Sequence, residues 1–152
     1  MGFLMAQDTV SGREGRAFAT IDGKTEELFY IKTLEAKIEK TKAEIKTLGR
    51  RALQHKTAGW SGTGSMTIYY VAPLFRQLMN RYVKEGIDTY FDVMVVNEDP
   101  NSSVGNQTVT LKNVNLNSVV IAKLDTESDV LEEELEFTFD DIDILSNFNS
   151  LA

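Results

Sequence analysis

The chain has 152 residues, of which 42% are hydrophobic and 26% charged, and these values fit one globular domain with a sizeable core. Its net charge of −7 argues against a general nucleic-acid binder, because non-specific DNA affinity comes from cationic side chains that displace counterions. The absence of cysteine and the single histidine exclude disulfides, thiolate chemistry and zinc sites built from Cys or from several His.

The start of the chain shows no targeting signal. Residues 1–12 hold one four-residue apolar run without a basic start, so we expect no secretory leader. No apolar run approaches the length of a membrane span, so we also expect no membrane anchor. Synthesis and first use in the cytoplasm follow as expectations.

The first elements are a hairpin and an ambiguous segment. Residues 15–32 predict a β-hairpin, because Asp22 and Gly23 supply the positive φ of a tight turn. Residues 28–48 allow two interpretations. Apolar spacings of three, four and seven favour a long helix, whereas alternation of apolar and charged residues over 34–39 favours a strand.

A strand and a helix come next. Residues 65–73 predict the strand, and residues 73–85 predict a helix that begins at Pro73 and ends before Gly86. The helix has one apolar stripe, which we expect to pack on the core. Met79 and Tyr82 belong to that stripe and are interpreted as core residues. The basic side chains are expected on the solvent side: Arg76, Arg81 and Lys84.

The rest of the chain predicts β-structure, with strands at 89–96, 107–114 and 115–124. Residues 120–124 leave little polar surface on either side, which predicts a strand buried on both faces. Between 132 and 141 apolar and acidic residues alternate, so one face should pack and the other should carry carboxylates. We therefore predict a mainly β fold: a small antiparallel β-barrel or sandwich with one flanking α-helix at about 73–85, in a single domain spanning 1–152.

Charge is unevenly placed along the chain. Residues 32–56 hold eight Lys/Arg and three Glu, whereas residues 124–152 hold ten Asp/Glu and no Lys/Arg. Such segments can pair within one molecule. They can also be complementary between copies, because opposite patches steer and register partners.

The residues show no motif of an enzyme or a metal site. Gly59, Gly62 and Gly64 precede a predicted strand and no Lys follows them, so they are not a phosphate-binding loop. His55 could pair with Ser61 or Asp22, but nothing supports an oriented acid–base unit. The acidic residues lack the central glycine of an EF-hand loop. We predict no catalytic residue, no cofactor and no metal.

Three quoted stretches, in this order and spacing, resemble one family: "SGREGRAF", "IKTLEAKIEKTKAEIKTLGRR…HKTAG.SGTG…TIYYV" and "LEEELEFTFDDID". Over roughly residues 6–145 the chain resembles the tail tube protein of PBSX-type contractile tails, which belong to phages and defective prophages of Gram-positive bacteria. The resemblance implies a fold similar to the tubes of other contractile injection machines, including the type VI secretion tube.

The same resemblance implies an assembly. Six copies would form a ring with a continuous inner wall, and rings would stack into a hollow tube that conducts DNA into the host after sheath contraction. The implied partners are further copies of the chain, the sheath protein, the tape measure protein and transiting DNA in the lumen, and the baseplate and tail terminator at the ends. The implied location is the virion tail, assembled in the host cytoplasm.

The resemblance also favours strand over helix in the ambiguous segment. We expect residues 29–47 to be mainly β and to run into a projecting loop at about 45–64. In this loop the glycines would allow bending close to another backbone, the cations would meet an acidic neighbour such as 124–143, and the tryptophan would anchor the contact. The predicted subunit-interface residues are Gly49, Arg50, Arg51, His55, Lys56, Trp60, Gly62 and Gly64. A second predicted set, for an acidic interface or the lumen face, is Glu134, Glu136 and Asp140.

Alternatives stay open at this point. Arg50 and Arg51 beside Trp60 could stack nucleotides, although the negative net charge argues against it. The chain could form the tube of a DNA-free contractile bacteriocin or a secretion-type particle. It could also be a monomeric enzyme or binding domain.

Overall fold

The computed structural model describes residues 3–150, which contain one α-helix, eight strands and a short 3₁₀ turn at Ala6–Asp8. In chain order the elements are β1 Gly15–Ile21, β2 Lys24–Glu27, β3 Ile31–Ile45, β4 Gln54–Tyr69, α1 Leu74–Glu85, β5 Phe91–Glu98, β6 Asn106–Ser118, β7 Glu132–Phe139 and β8 Asp141–Ser146.

The strands form one antiparallel sheet in the order β2-β1-β5-β6-β7-β4-β3, with β8 also pairing with β6. The long strand β6 joins two halves, because it pairs with β5 up to Val114 and with β7 from Asn115. Side chains from both halves pack with Phe75 of α1 in one core: Ala17, Ala19, Met66, Ile68, Val93, Leu111, Val114, Leu135, Phe137 and Phe139. The predicted mainly β fold with one flanking helix is confirmed.

The first hairpin forms as predicted. Asp22 has φ 50° and Gly23 has φ 80°, and the register pairs Ile21 with Lys24 across the turn. Both central residues of the two-residue turn are in the left-handed region that matches the twist of the flanking strands.

Residues 28–48 form a strand and not a helix. β3 pairs with β4 from Ile31 to Ile45, with irregularities near Thr33 and Thr41. The local apolar spacing allows a helix, but the long hydrogen-bonded partner strand decides the outcome. The expectation of mainly β structure over 29–47 is therefore confirmed.

Most of the predicted loop at 45–64 is also strand. β4 begins at Gln54, eleven residues before the predicted start at 65, and only residues 46–53 lie between the two strands. The glycine-rich sequence predicts a loop, because glycine has a low strand propensity. It forms a strand here because β3 provides a partner along its full length.

Helix α1 has the predicted boundaries, but one residue that was predicted to be in the core, Tyr82, is not buried. Gly86 has φ 71° and its amide donates to the Tyr82 carbonyl at 2.9 Å, which ends the helix. Phe75 is buried, but Tyr82 is 52% exposed and Val83 is exposed as well. The interpretation of Tyr82 as a core residue is wrong, because the start of the helix packs on the sheet and its last turn extends past the core. Met79 is partly buried.

Arg76 does not face solvent as predicted. Its Nη1 donates to both carboxylate oxygens of Glu133 at 2.9 and 3.0 Å, and its Nη2 donates to the Ala72 carbonyl at 2.6 Å. The Glu133 side chain is 1% exposed, and the guanidinium also lies 4.4 Å from the centroid of the Tyr70 ring. Arg76 turns toward the sheet because the buried Glu133 carboxylate requires a counter-charge.

Residues 120–124 are not a buried strand. β6 ends at Ser118 after an irregularity in its pairing with β7, and no strand is assigned until Glu132. Ile121 and Leu124 are exposed. The β-branched residues favour a pleated surface, but here the chain leaves the sheet before they can pair.

β7 has the predicted alternation. Leu135, Phe137 and Phe139 are buried, whereas Glu134 and Glu136 are exposed. Because alternate residues of a strand point to opposite faces, this strand gives the core its aromatic layer and the opposite surface its carboxylates.

Candidate assembly interface

The hairpin of β3 and β4 extends beyond the sheet as a two-stranded arm. β7 pairs with β4 only between Gly62 and Tyr69, so the part of β4 from Gln54 to Ser61 pairs with β3 alone. Every residue from 35 to 61 is exposed. An isolated two-stranded ribbon is marginally stable in water, so this geometry favours a covering partner.

The end of the arm is cationic and partly apolar. We call residues 46–56 the hairpin tip; it contains four Lys/Arg, the single His and no Asp or Glu. Gly49 turns the chain with φ 82°. Leu48 is fully exposed and Leu53 is 48% exposed. Within the described residues, none of the tip's basic side chains makes a salt bridge: Lys46, Arg50, Arg51, His55 and Lys56.

His55 and Lys56 lie on opposite faces of the arm. In the β3–β4 register His55 is opposite Glu44 and Lys56 is opposite Ala43. Successive strand residues point to opposite sides, so the tip presents a basic side chain on each face.

Trp60 lies where the arm leaves the core. It is 45% exposed and its ring centroid is 6.5 Å from that of Phe139. Ile38, on the same side of the hairpin, is also exposed. These side chains extend the apolar core to the surface, and a partner that covers them would bury an aromatic anchor.

Gly62 and Gly64 serve packing within the subunit. They are paired across the strands with Phe139 and Phe137, and a Cβ at either glycine would overlap the ring of its partner. At Gly64 the Cβ would also lie 2.9 Å from the Glu35 carbonyl oxygen. Within the subunit these glycines make room for two phenyl rings of β7, and their place in a subunit interface stays a prediction.

The three acidic residues predicted as one group lie in two places. Glu134 and Glu136 pair with Thr67 and Ser65, on the exposed polar face that also carries Glu35. Asp140 lies outside that face, between β7 and β8. Its Oδ1 accepts a hydrogen bond from Asn113 Nδ2 at 2.8 Å.

The polar face covers the outer surface of β7, β4 and β3. Its small residues are Ser61, Thr63, Ser65, Thr67 and Thr138, and its charged residues are Glu35, Lys37, Glu39, Glu134 and Glu136. Lys37 and Glu39 form a 3.0 Å salt bridge, and the hydrogen bond that Lys37 donates to the Glu39 carboxylate raises the pKa of Lys37. The face is therefore hydrophilic and carries excess negative charge.

Several exposed apolar residues were not predicted as interface residues. Leu48 and Leu53 in the tip were not predicted because charged residues and glycine dominate the sequence around them. Ile121, Leu124 and Val130 were missed because a buried strand was expected in that region. Large exposed apolar side chains that cluster with charge indicate contact surfaces.

In residues 3–150 no three His, Asp or Glu side chains are grouped as metal ligands would be. The part of the chain that the structure describes has no helix long and apolar enough to cross a membrane.

Known proteins resemble this chain both in sequence and in fold. The phage-like element PBSX protein XkdM of Bacillus subtilis (strain 168) is 50% identical over 141 residues, which cover 93% of each chain. In fold, the chain matches a component of the anti-feeding prophage (AFP) baseplate, solved by cryo-EM and six-fold symmetrised, with a TM-score of 0.67, 16% identity and coverage of 93% and 97%.

A component of the extended PVC sheath–tube complex, from an extracellular contractile injection system, matches with a TM-score of 0.63, 12% identity and coverage of 87% and 89%. A profile of the family described as phage tail tube protein matches residues 2–146. With this match over nearly the whole chain and a PBSX relative at half identity, the chain belongs to the phage tail tube protein family of the PBSX type.

Proposed function

We propose that this chain forms the inner tube of a contractile tail, in which hexameric rings stack into a hollow tube that conducts DNA into the host after sheath contraction. The observation that carries the proposal is the arm, a two-stranded ribbon over residues 39–61 in which every residue is exposed. A ribbon of this length has no second layer of its own. Other copies of the chain would provide that layer.

Ring closure is supported by the open ends of the sheet. The strand order ends with β2 on one side and β3 on the other. A free edge exposes unpaired N–H and C=O groups, which a strand of another copy can satisfy. The six-fold symmetrised AFP baseplate supports six copies per ring.

The polar face is the surface we assign to the lumen. Glu35, Glu39, Glu134 and Glu136 share it with small hydroxyl side chains. A conduit for DNA must not retain phosphates, and carboxylates on the wall repel them at close range. This leaves the opposite, apolar side of the same strands for the core.

The remaining partners follow from the place of such a tube in a tail. We propose contacts with the sheath on the outside, with the tape measure protein and DNA inside, and with the baseplate and tail terminator at the ends. The PVC match supports the sheath contact, because that structure is a sheath–tube complex. The assembly would take place in the host cytoplasm and end in the virion tail.

The test is tube formation by purified protein and by a charge-reversed variant. Concentrated wild-type protein should give rings and hollow rods in negative-stain images. Arg50→Glu with Arg51→Glu should remain folded and lose the rods, because like charges would meet at the contact.

The matched control for this test is Arg13→Glu with Lys84→Glu. Both side chains are exposed outside the arm, and the two changes alter the net charge equally. The control should still form rods. A wild-type chain that stays monomeric at high concentration would contradict the proposal and favour a monomeric binding domain.

A further inference from the structure

The hairpin tip and a second exposed segment lie at opposite ends of the same long strand. β4 starts at the tip and is 16 residues long, so its ends are about 50 Å apart at about 3.3 Å per residue. At the far end the amide of Tyr70 donates to the Leu131 carbonyl at 2.9 Å. Residues 121–130, which we call the acidic segment, end directly before that point. One subunit therefore cannot bring its own tip to its own acidic segment.

The acidic segment is exposed at every residue from 121 to 130. It carries Asp125, Glu127 and Asp129 beside three large exposed apolar side chains: Ile121, Leu124, which is 98% exposed, and Val130. Its single basic residue, Lys123, donates to the Glu132 carbonyl. This combination of carboxylates and apolar groups is the complement of the tip, where Leu48 and Leu53 accompany the cations.

Other acids in the same region are engaged within the subunit. Glu133 is paired with Arg76, Glu132 with Lys32 at 2.9 Å, and Asp143 with Lys112 at 2.7 Å. Asp140 accepts from Asn113. Among the carboxylates of the acidic segment, Asp125 Oδ1 accepts from the Glu127 amide at 3.0 Å. Within the described residues, the side chains of Glu127 and Asp129 form no salt bridge. Glu134 and Glu136 are exposed as well, but they lie on the polar face that we assign to the lumen. This leaves the part of the region 124–143 before β7 as the candidate acceptor.

We infer that the hairpin tip of one copy binds the acidic segment of another copy. This inference rests on the proposed tube, and it identifies the acceptor of the arm. Arg50 and Arg51 would pair with Asp125, Glu127 or Asp129, and the exposed leucines of the tip would cover Leu124 and Val130. Because the donor and acceptor surfaces differ and lie at opposite ends, the contact is head-to-tail and can repeat along a stack.

The absence of cysteine makes a direct cross-linking test possible. We expect rods of Leu48→Cys with Leu124→Cys, after oxidation, to give a ladder of covalent oligomers on a non-reducing gel. Each single-cysteine variant should give dimers at most. The matched control is Leu48→Cys with Val83→Cys, which places the second thiol on exposed α1 and should give no ladder.

A charge-swap variant tests the same contact independently of thiols. Arg50→Glu with Arg51→Glu should lower the sedimentable fraction about tenfold or more, and adding Asp125→Lys with Glu127→Lys should restore it. Reversal of Glu134 and Glu136 instead should restore nothing.

The two proposals fail in different ways. Wild-type rods with neither a ladder nor a rescue by the swap overturn the tip–segment contact and leave the tube intact. A wild-type chain that forms no rods overturns the tube itself.

Discussion

Arg76 and Glu133 form a buried ion pair that joins helix α1 to the start of β7, with Nη1 at 2.9 and 3.0 Å from the two carboxylate oxygens. The Tyr70 ring covers the guanidinium and the Ala72 carbonyl accepts from it. Each carboxylate oxygen of Glu133 therefore has a donor, and two of the three guanidinium nitrogens of Arg76 have an acceptor. This connection fixes the helix against the sheet next to the acidic segment.

Removal of one charge of this pair should destabilise the folded subunit. We expect Glu133→Gln to lower the free energy of unfolding by about 3 kcal/mol, because it leaves a largely buried guanidinium without its counter-charge. Urea denaturation followed by circular dichroism measures the change. Glu27→Gln, which breaks the exposed Arg16–Glu27 pair, should give no measurable change and is the control. Equal effects of the two substitutions would contradict the special role of Glu133.

The glycines beneath the phenyl rings should not accept a methyl group. Gly62→Ala or Gly64→Ala should destabilise the subunit by about 1–3 kcal/mol, because the added Cβ overlaps Phe139 or Phe137. Gly59→Ala is the matched control in the same strand, since nothing lies within 4 Å of its Cβ position. Denaturation midpoints compare the three variants, and an unaltered midpoint for Gly64→Ala would show that the rings do not occupy this space.

Tyr30 is a buried residue whose hydroxyl has no hydrogen-bond partner in the described residues. Removal of this oxygen in Tyr30→Phe should leave stability unchanged or raise it by about 1 kcal/mol. Burial raises the pKa of Tyr30 to about 12, above the usual value of 10.0 for a tyrosine. In the wild type, stability should therefore fall as pH rises above 10, since the unfolded chain ionises first. A destabilised Tyr30→Phe variant would indicate a partner for the hydroxyl.

The lumen assignment makes a prediction about DNA transit. Removing two of the four carboxylates of the polar face with Glu134→Gln and Glu136→Gln should leave rod formation intact and slow DNA ejection from complete particles, because phosphates would be held more closely. Single-particle ejection rates measure this. Glu14→Gln with Glu98→Gln removes two exposed carboxylates elsewhere and should leave the rate unchanged. Identical rates for all particles would contradict a role of these acids in the lumen.

Local sequence signals were sufficient wherever one segment determines its own structure. The Asp22–Gly23 turn, the helix from Leu74 to Glu85 and the alternation of β7 all form as their residues predict. The same alternation places Glu133 on the buried face, because it has the parity of Leu135.

The arm could not be predicted from local pattern because its structure depends on distant partners. Gly62 and Gly64 weaken a strand by themselves, and the rings of Phe137 and Phe139 compensate only once β7 lies beside them. The opposite error occurred at 120–124, where β-branched residues favour a strand that finds no partner within one subunit. The hairpin tip and the acidic segment also extend away from the sheet of one subunit, and another copy would provide their partner.

The central claim is that copies of this chain contact one another through the arm in a hollow tube. A cryo-EM reconstruction of rods grown from purified protein tests it most directly. The account predicts a hexameric stack in which residues 46–56 of each copy contact residues 121–130 of another, with Glu134 and Glu136 on the inner wall. A reconstruction in which the arm contacts no other copy, or protein that remains monomeric when concentrated, would contradict it.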